Sequence, residues 1–135
     1  MNDIKKKIHK TDNLILQIAI EMAKKSDMRT KHGCIIIDYK GSIISKAYNK
    51  NLIVSSKQFD NFTQNTKVSY HAEENALRNV DPKKLSGAKL YVIRYGFQEN
   101  NPLLMNSKPC KKCTCIIEKY MKKYGLKTVY YSQGT

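Results

Sequence analysis

His71-Ala72-Glu73 and Pro109-Cys110-Lys111-Lys112-Cys113 stand far apart in a chain of 135 residues, yet they carry the two halves of one chemical site. The first offers an imidazole and a spare carboxylate. The second offers two thiolates. One imidazole and two thiolates hold Zn²⁺ with a fourth position left open, which is the donor set of a catalytic rather than a structural zinc. Any fold this chain adopts has to bring the two motifs to one point. Taken singly each is weak, since C-x-x-C also serves redox dithiols and structural zinc half-sites. Their combination, in this order and with the proline, is specific.

The local geometry suits the purpose. Cys110 and Cys113, three apart at a helix start, place both sulfurs on one face. The partial positive charge of a helix N-terminus favours thiolate over thiol, and Lys111 and Lys112 add to it. His71 opens its own helix, so two helix N-termini converge on one cation. Cys115 lies about 140° from Cys110 and about 200° from Cys113 around the helix. It points away from the metal and is expected to be a small buried side chain. Cys34, in the apolar run Cys34-Ile35-Ile36-Ile37, reads the same way.

Periodicity places these motifs in an alternating chain. Thr11 and Asp12 offer caps for a helix to about Lys25, with Leu14, Ile18 and Met22 on its buried face. Gly33–Asp38 and Ile43–Tyr48 read as a strand hairpin around Tyr39-Lys40-Gly41-Ser42. Asn49–Ser69 has no clear period and reads as loop. A second helix runs from near His71 to Asp81-Pro82, followed by a strand over Lys89–Tyr95 and a long loop over Gly96–Lys108. Pro109 is expected to open the third helix, Gly125 to close it, and Lys127–Ser132 to form the last strand. Lys5-Lys6-Lys7 reads as a solvated terminus. A helix between two strands favours a parallel crossover, so a mixed sheet with helices on its faces follows.

H-x-E followed by P-C-x-x-C is also the signature of the zinc-dependent base deaminases. From about Asp12 to Ser132 the sequence resembles the cytidine deaminase superfamily. The resemblance implies a three-layer α/β/α cytidine deaminase-like fold, with a strand hairpin and a parallel crossover between its last two strands. It implies Zn²⁺ on His71, Cys110 and Cys113, and water activated for attack on C4 of cytosine or C6 of adenine. Glu73 is then the catalytic proton carrier. Asn49, after the second strand, corresponds to an Asn that contacts sugar or base in related deaminases, with Asn51 the alternate if the register slips. Cys34 at the pocket wall, Ala72 between the two functional groups, and Tyr95 complete the expected substrate-binding set. Arg94, Tyr95 and Phe97 could stack a base or pair with a phosphate, or simply finish their strand. Relatives reach Pro-Cys soon after this strand and continue past the last one with a further strand and helices. Here a long stretch precedes Pro109 and the sequence stops at Thr135. Either the fold is minimal here, the chain is a fragment, or subunit contacts cover the exposed edge of the last strand.

Composition narrows the setting. The length and an apolar fraction of 41% suit one zinc-deaminase domain over residues 1–135. The sequence shows no secretory leader and no membrane span. Three of four cysteines bunch at Cys110–Cys115, which suggests metal rather than disulfides and a reducing cytoplasm. With 25 basic and 11 acidic residues the formal charge is +14, favouring anionic partners. A Lys-, Asn- and Ile-rich composition inflates that figure independently of function. The leading expectation is hydrolytic deamination of cytidine, deoxycytidine or dCMP by a homo-oligomer, with dCMP preferred. Two alternatives stay open: a polynucleotide deaminase acting on tRNA adenosine or single-stranded cytidine, and a zinc-stabilised nucleic-acid-binding module without activity.

Overall fold

The structure is a computed structural model describing residues 3–7, 13–54, 66–98 and 101–132. The elements run β1 (Asp3–Lys7), α1 (Asn13–Lys24), β2 (Lys31–Ile37), β3 (Ile43–Tyr48), β4 (Lys50–Val54), β5 (Thr66–Tyr70), α2 (Ala72–Arg78), a 3₁₀ turn (Pro82–Lys84), β6 (Lys89–Gln98), β7 (Asn101–Met105), α3 (Lys111–Tyr124) and β8 (Thr128–Tyr131). The main sheet has the order β1-β8-β6-β2-β3, with β7 pairing the far half of β6, and β4 and β5 form a separate hairpin. β8 runs parallel to β6, the remaining pairs of β2, β3, β6 and β7 are antiparallel, and β1 runs parallel to β8.

β2 is apolar from Gly33 to Ile37 because both of its faces are covered there. Ile35 and Ile37 pack with Ala19, Met22 and Ala23 of α1. Cys34 and Ile36 pack with Ala72, Ala76 and Leu77 of α2 and Ile117 and Met121 of α3. Three layers result, α1 on one face and α2 with α3 on the other. Gly33 sets the spacing of the first pair: a Cβ there would fall 2.0 Å from the Ala19 carbonyl oxygen and 2.9 Å from the Ala23 nitrogen.

The four central strands, β3-β2-β6-β8, are those read from the sequence, with the parallel β6–β8 pair joined through α3. Four details differ. Lys5–Lys7 belongs to a strand: β1 pairs with β8, Asp3 opposite Thr128 and Lys6 opposite Tyr130. The outer edge of the last strand is covered by the chain's own N-terminal strand, whose Lys-rich sequence suits a new edge. The stretch read as loop after Asn49 contains β4 and β5, paired from Lys50↔Tyr70 to Val54↔Thr66. The long loop before Pro109 is mostly a second hairpin, since β6 continues to Gln98 and β7 returns along it. Finally, α3 starts at Lys111 with Cys110 as its N-cap, so Pro109 precedes the helix rather than opening it. Thr11 and Asp12, the expected caps of α1, lie outside the described residues. Among the described residues no helix is long and apolar enough to cross a membrane.

Candidate active site

α2 and α3 lie on the same sheet face and both present their N-termini at the end where β2 begins and β3 ends. His71 is the N-cap of α2 and Cys110 that of α3. The two motifs therefore meet. His71 Nδ1 lies 3.1 Å from Cys113 Sγ and 3.6 Å from Cys110 Sγ. The three donor atoms all fall within 4.8 Å of one another. Zn–S and Zn–N bonds of about 2.3 and 2.0–2.1 Å place tetrahedral neighbours roughly 3.5 Å apart, so the set fits zinc. Burial, then the neighbouring Glu73 and Cys110, raise the Cys113 thiol far above its ordinary value. A thiol so placed is kept as thiolate by a cation held between these donors. Cys115 is outside the cluster, as the helical angle requires, but it faces solvent rather than the core.

Glu73, in the first turn of α2, is 5% exposed. Burial pushes its carboxyl up to about 7; hydrogen bonds from its own backbone N–H and from Cys113 offset part of that rise. It lines a cleft of about 250 Å³ together with His71, Cys110, Asn49, His32, Thr30 and Lys108. Asn49 is buried and braces this cleft. Its Oδ1 accepts from the His32 backbone N–H at 2.8 Å and its Nδ2 donates to the Thr30 carbonyl at 2.6 Å. Next to it, the His32 ring has a pKa lowered to about 4, by burial first and then by the charges of Arg94 and His71. The imidazole is neutral near pH 7 and makes no hydrogen bond among the described residues.

Comparison with known proteins places this geometry. The family model described as the cytidine and deoxycytidylate deaminase zinc-binding region matches residues 9–133. The chain belongs to the cytidine and deoxycytidylate deaminase family. It is a zinc-dependent hydrolytic deaminase, and His71, Cys110 and Cys113 form the group able to hold the metal. Among solved structures it is similar to the dCMP deaminase of cyanophage S-TIM5, crystallised in complex with dCMP and dUMP. The identity is 21% and the TM-score 0.56, over 92% of this chain and 82% of that one. No curated protein sequence matches the chain.

The deaminase fold sorts the other expected residues. Cys34 is fully buried and close enough to Glu73 and Cys113 for their charges to raise its thiol further, after burial itself. It does not open onto the cleft. Ala72 is likewise without exposure and belongs to the core. Tyr95 is misplaced by the sequence reading. Along β6, Leu90 and Val92 face α2 and α3 whereas Tyr91, Ile93 and Tyr95 face α1. Tyr95 sits there with Lys24 Nζ 5.8 Å from its ring centre, on the far face of the sheet from the metal donors. Arg94, its neighbour, is on the metal side, opposite His32 in the β2–β6 register.

His32, Thr30, Ser107 and Lys108 line the cleft and were not singled out in the sequence. Parity carried a signal for one of them: His32 is two before Cys34 and so shares its face. Ser107 explains how the β6–β7 excursion is tolerated. Its hydroxyl donates to the Val92 carbonyl at 2.8 Å, its N–H donates to the Ser132 carbonyl at 2.9 Å, and its Oγ accepts from the Ser132 N–H at 2.8 Å. The chain is thereby returned to the sheet just before Pro109-Cys110, whatever lies between.

Proposed function

We propose that the chain deaminates the cytosine ring of dCMP, with Glu73 as the catalytic proton carrier and His71, Cys110 and Cys113 as the zinc ligands. The observation that carries this is the position of a buried carboxyl, Glu73, beside the three metal donors in one small cleft. Zinc held by two thiolates and an imidazole supplies Lewis-acid chemistry, lowering the pKa of water to about 7. Glu73, itself near 7, is suited to take a proton and give it back. It removes a proton from water as the oxygen adds to C4, delivers that proton to N3, and then carries the remaining proton of the C4 hydroxyl to N4 as the amino group departs. Loss of the C4–N4 bond releases ammonia and leaves the uracil form.

The phosphate is the finer part of the reading. Lys108 lines the cleft, Arg94 lies beside His32, and Glu73 is the one carboxylate among the lining residues. A cationic mouth over a small cleft favours a phosphate monoester over a neutral nucleoside. The similar cyanophage enzyme was solved with dCMP and dUMP, which supports the same choice. Asn49 and His32 then orient sugar or base. The reading takes residues 1–135 as one deaminase domain acting as a cytoplasmic homo-oligomer; free thiols clustered at Cys110, Cys113 and Cys115 suit a reducing compartment.

The deciding experiment is a product assay on zinc-loaded protein with dCMP, cytidine, deoxycytidine and a cytosine-bearing single-stranded oligonucleotide. Turnover of dCMP well above the nucleosides and oligonucleotide is expected. Turnover confined to the oligonucleotide would replace this reading with the polynucleotide one.

A further inference from the structure

A cleft of about 780 Å³ lies at the end of the sheet away from the metal donors, between the β2–β3 turn and the segment from Lys83 to Gly87. Its walls meet at the base, where a Cβ on Gly87 would come within 3.1 Å of Tyr39 Cβ. Three lysines line it, Lys40, Lys83 and Lys84. None forms an ion pair among the described residues; the ion pairs found there are Lys24–Glu21 and Lys112–Glu74. The one acid in the lining, Asp38, is tied to its own turn through one oxygen, its Oδ1 accepting from the Lys40 and Ser42 backbone N–H groups at 2.9 and 2.8 Å. The Ser42 and Ser86 hydroxyls make no hydrogen bond among the described residues. The lining sets three lysines and two hydroxyls against a single carboxylate, an excess of positive charge and donors that suits an anion.

The rest of the lining is apolar and flat. Tyr39 is 72% exposed, with Lys40 Nζ 5.6 Å from its ring centre, and Ile43 is 40% exposed, both large side chains held at the surface. An exposed aromatic beside unpaired cations suits a planar ring joined to a phosphate. The backbone behind the lysines is fixed rather than loose: Asp81 caps the 3₁₀ turn through the Lys83 N–H, and the Lys84 N–H donates to the Asp81 carbonyl. We infer that this cleft is a second binding site, for a phosphate carrying a planar ring, that is, a nucleotide unit either free or within a single strand. None of its residues lines the catalytic cleft, so the inference stands apart from the choice of deamination substrate.

The test uses zinc-loaded protein and three probes: a short deoxythymidine oligonucleotide, thymidine 5′-monophosphate and inorganic phosphate. Thymine has no exocyclic amine and is not consumed. Lys83→Gln/Lys84→Gln should weaken the nucleotide probes at least about tenfold at low salt. For the oligonucleotide it should flatten the log–log salt slope by about 1.4, at about 0.7 per lost phosphate contact. Lys122→Gln/Lys123→Gln, an equal charge change at the exposed end of α3, should alter neither by more than about twofold. Tyr39→Ala should weaken the nucleotide probes and leave inorganic phosphate unaffected. Displacement of the oligonucleotide by the mononucleotide identifies a free ligand, and binding of the oligonucleotide alone identifies a strand. Equal losses in the two lysine pairs, indifference to Tyr39→Ala, or no binding at all overturns the inference. Deamination rates should stay within about twofold in every variant; a parallel fall would place the probes in the catalytic cleft instead and equally overturn it.

Discussion

Asn49 Oδ1 accepts the His32 backbone N–H at 2.8 Å, and through this bond the end of β3 fixes the mouth of β2 beside the metal donors. The second amide bond, to the Thr30 carbonyl, requires a donor. Asn49→Asp keeps the first and places two oxygens against each other at the second. The expected cost is about 1–3 kcal/mol of stability, with a rise in KM larger than any fall in kcat. Thermal melting and steady-state kinetics on zinc-loaded protein read both, and an unchanged KM would deny Asn49 a part in holding the cleft.

Glu73→Ala should abolish turnover while zinc stays bound, because the carboxyl is outside the donor set. A loss of at least about 10²–10⁴-fold in kcat is expected for a missing acid–base group. Metal content and rate are measured on the same preparation. Loss of zinc in the variant would instead make Glu73 a ligand.

Cys110→Ala and Cys113→Ala should each release zinc and lower the melting temperature, since metal binding to the native state is linked to its stability. Cys115→Ala, with its thiol facing solvent, should retain both. Atomic absorption and melting curves across the three variants separate these expectations; equal zinc loss in Cys115→Ala would mean that the site is closed by a third thiolate.

Gly33→Ala should be among the most damaging conservative changes, since the added methyl meets the α1 backbone at Ala19 and Ala23. Backbone cannot rotate aside as a side chain can, so the helix must lift from the sheet, at a cost of about 1–3 kcal/mol or more. The urea midpoint should fall, with zinc still bound in the folded fraction. An unaltered midpoint would show that α1 is not seated on this glycine.

The parts of this structure legible in the sequence are those with strong local chemistry. The apolar run at Cys34–Ile37 could only be a doubly covered strand, and the two metal motifs had to converge, which they do. What escaped was set by pairing rather than by pattern. Lys5–Lys7 has no apolar period and becomes a strand because β8 offers it an open edge. Lys50–Val54 and Thr66–Tyr70 are too short to declare themselves until they pair. Tyr95 is near the metal motifs in the order of elements, yet strand parity sends it to the α1 face and gives the metal side to Arg94. The same parity would have found His32.

His32 also makes the stability of the protein depend on pH in a defined direction. Its folded pKa is lowered from 6.5 to about 4, chiefly by burial, so the folded state holds the ring neutral. Between those two values the unfolded chain binds a proton that the folded chain refuses. Stability is therefore lost as pH falls from about 6.5 to about 4, and the loss levels off below that. At about 1.4 kcal/mol per unit the full effect is on the order of 3 kcal/mol. His32→Gln has no such proton to bind. Because metal binding is itself linked to pH, the quantity to measure is the difference between the two proteins in urea-unfolding free energy, from pH 7 to pH 4. That difference should shift toward the variant by up to about 3 kcal/mol on acidification. Parallel curves would show that His32 is not held neutral beside Arg94.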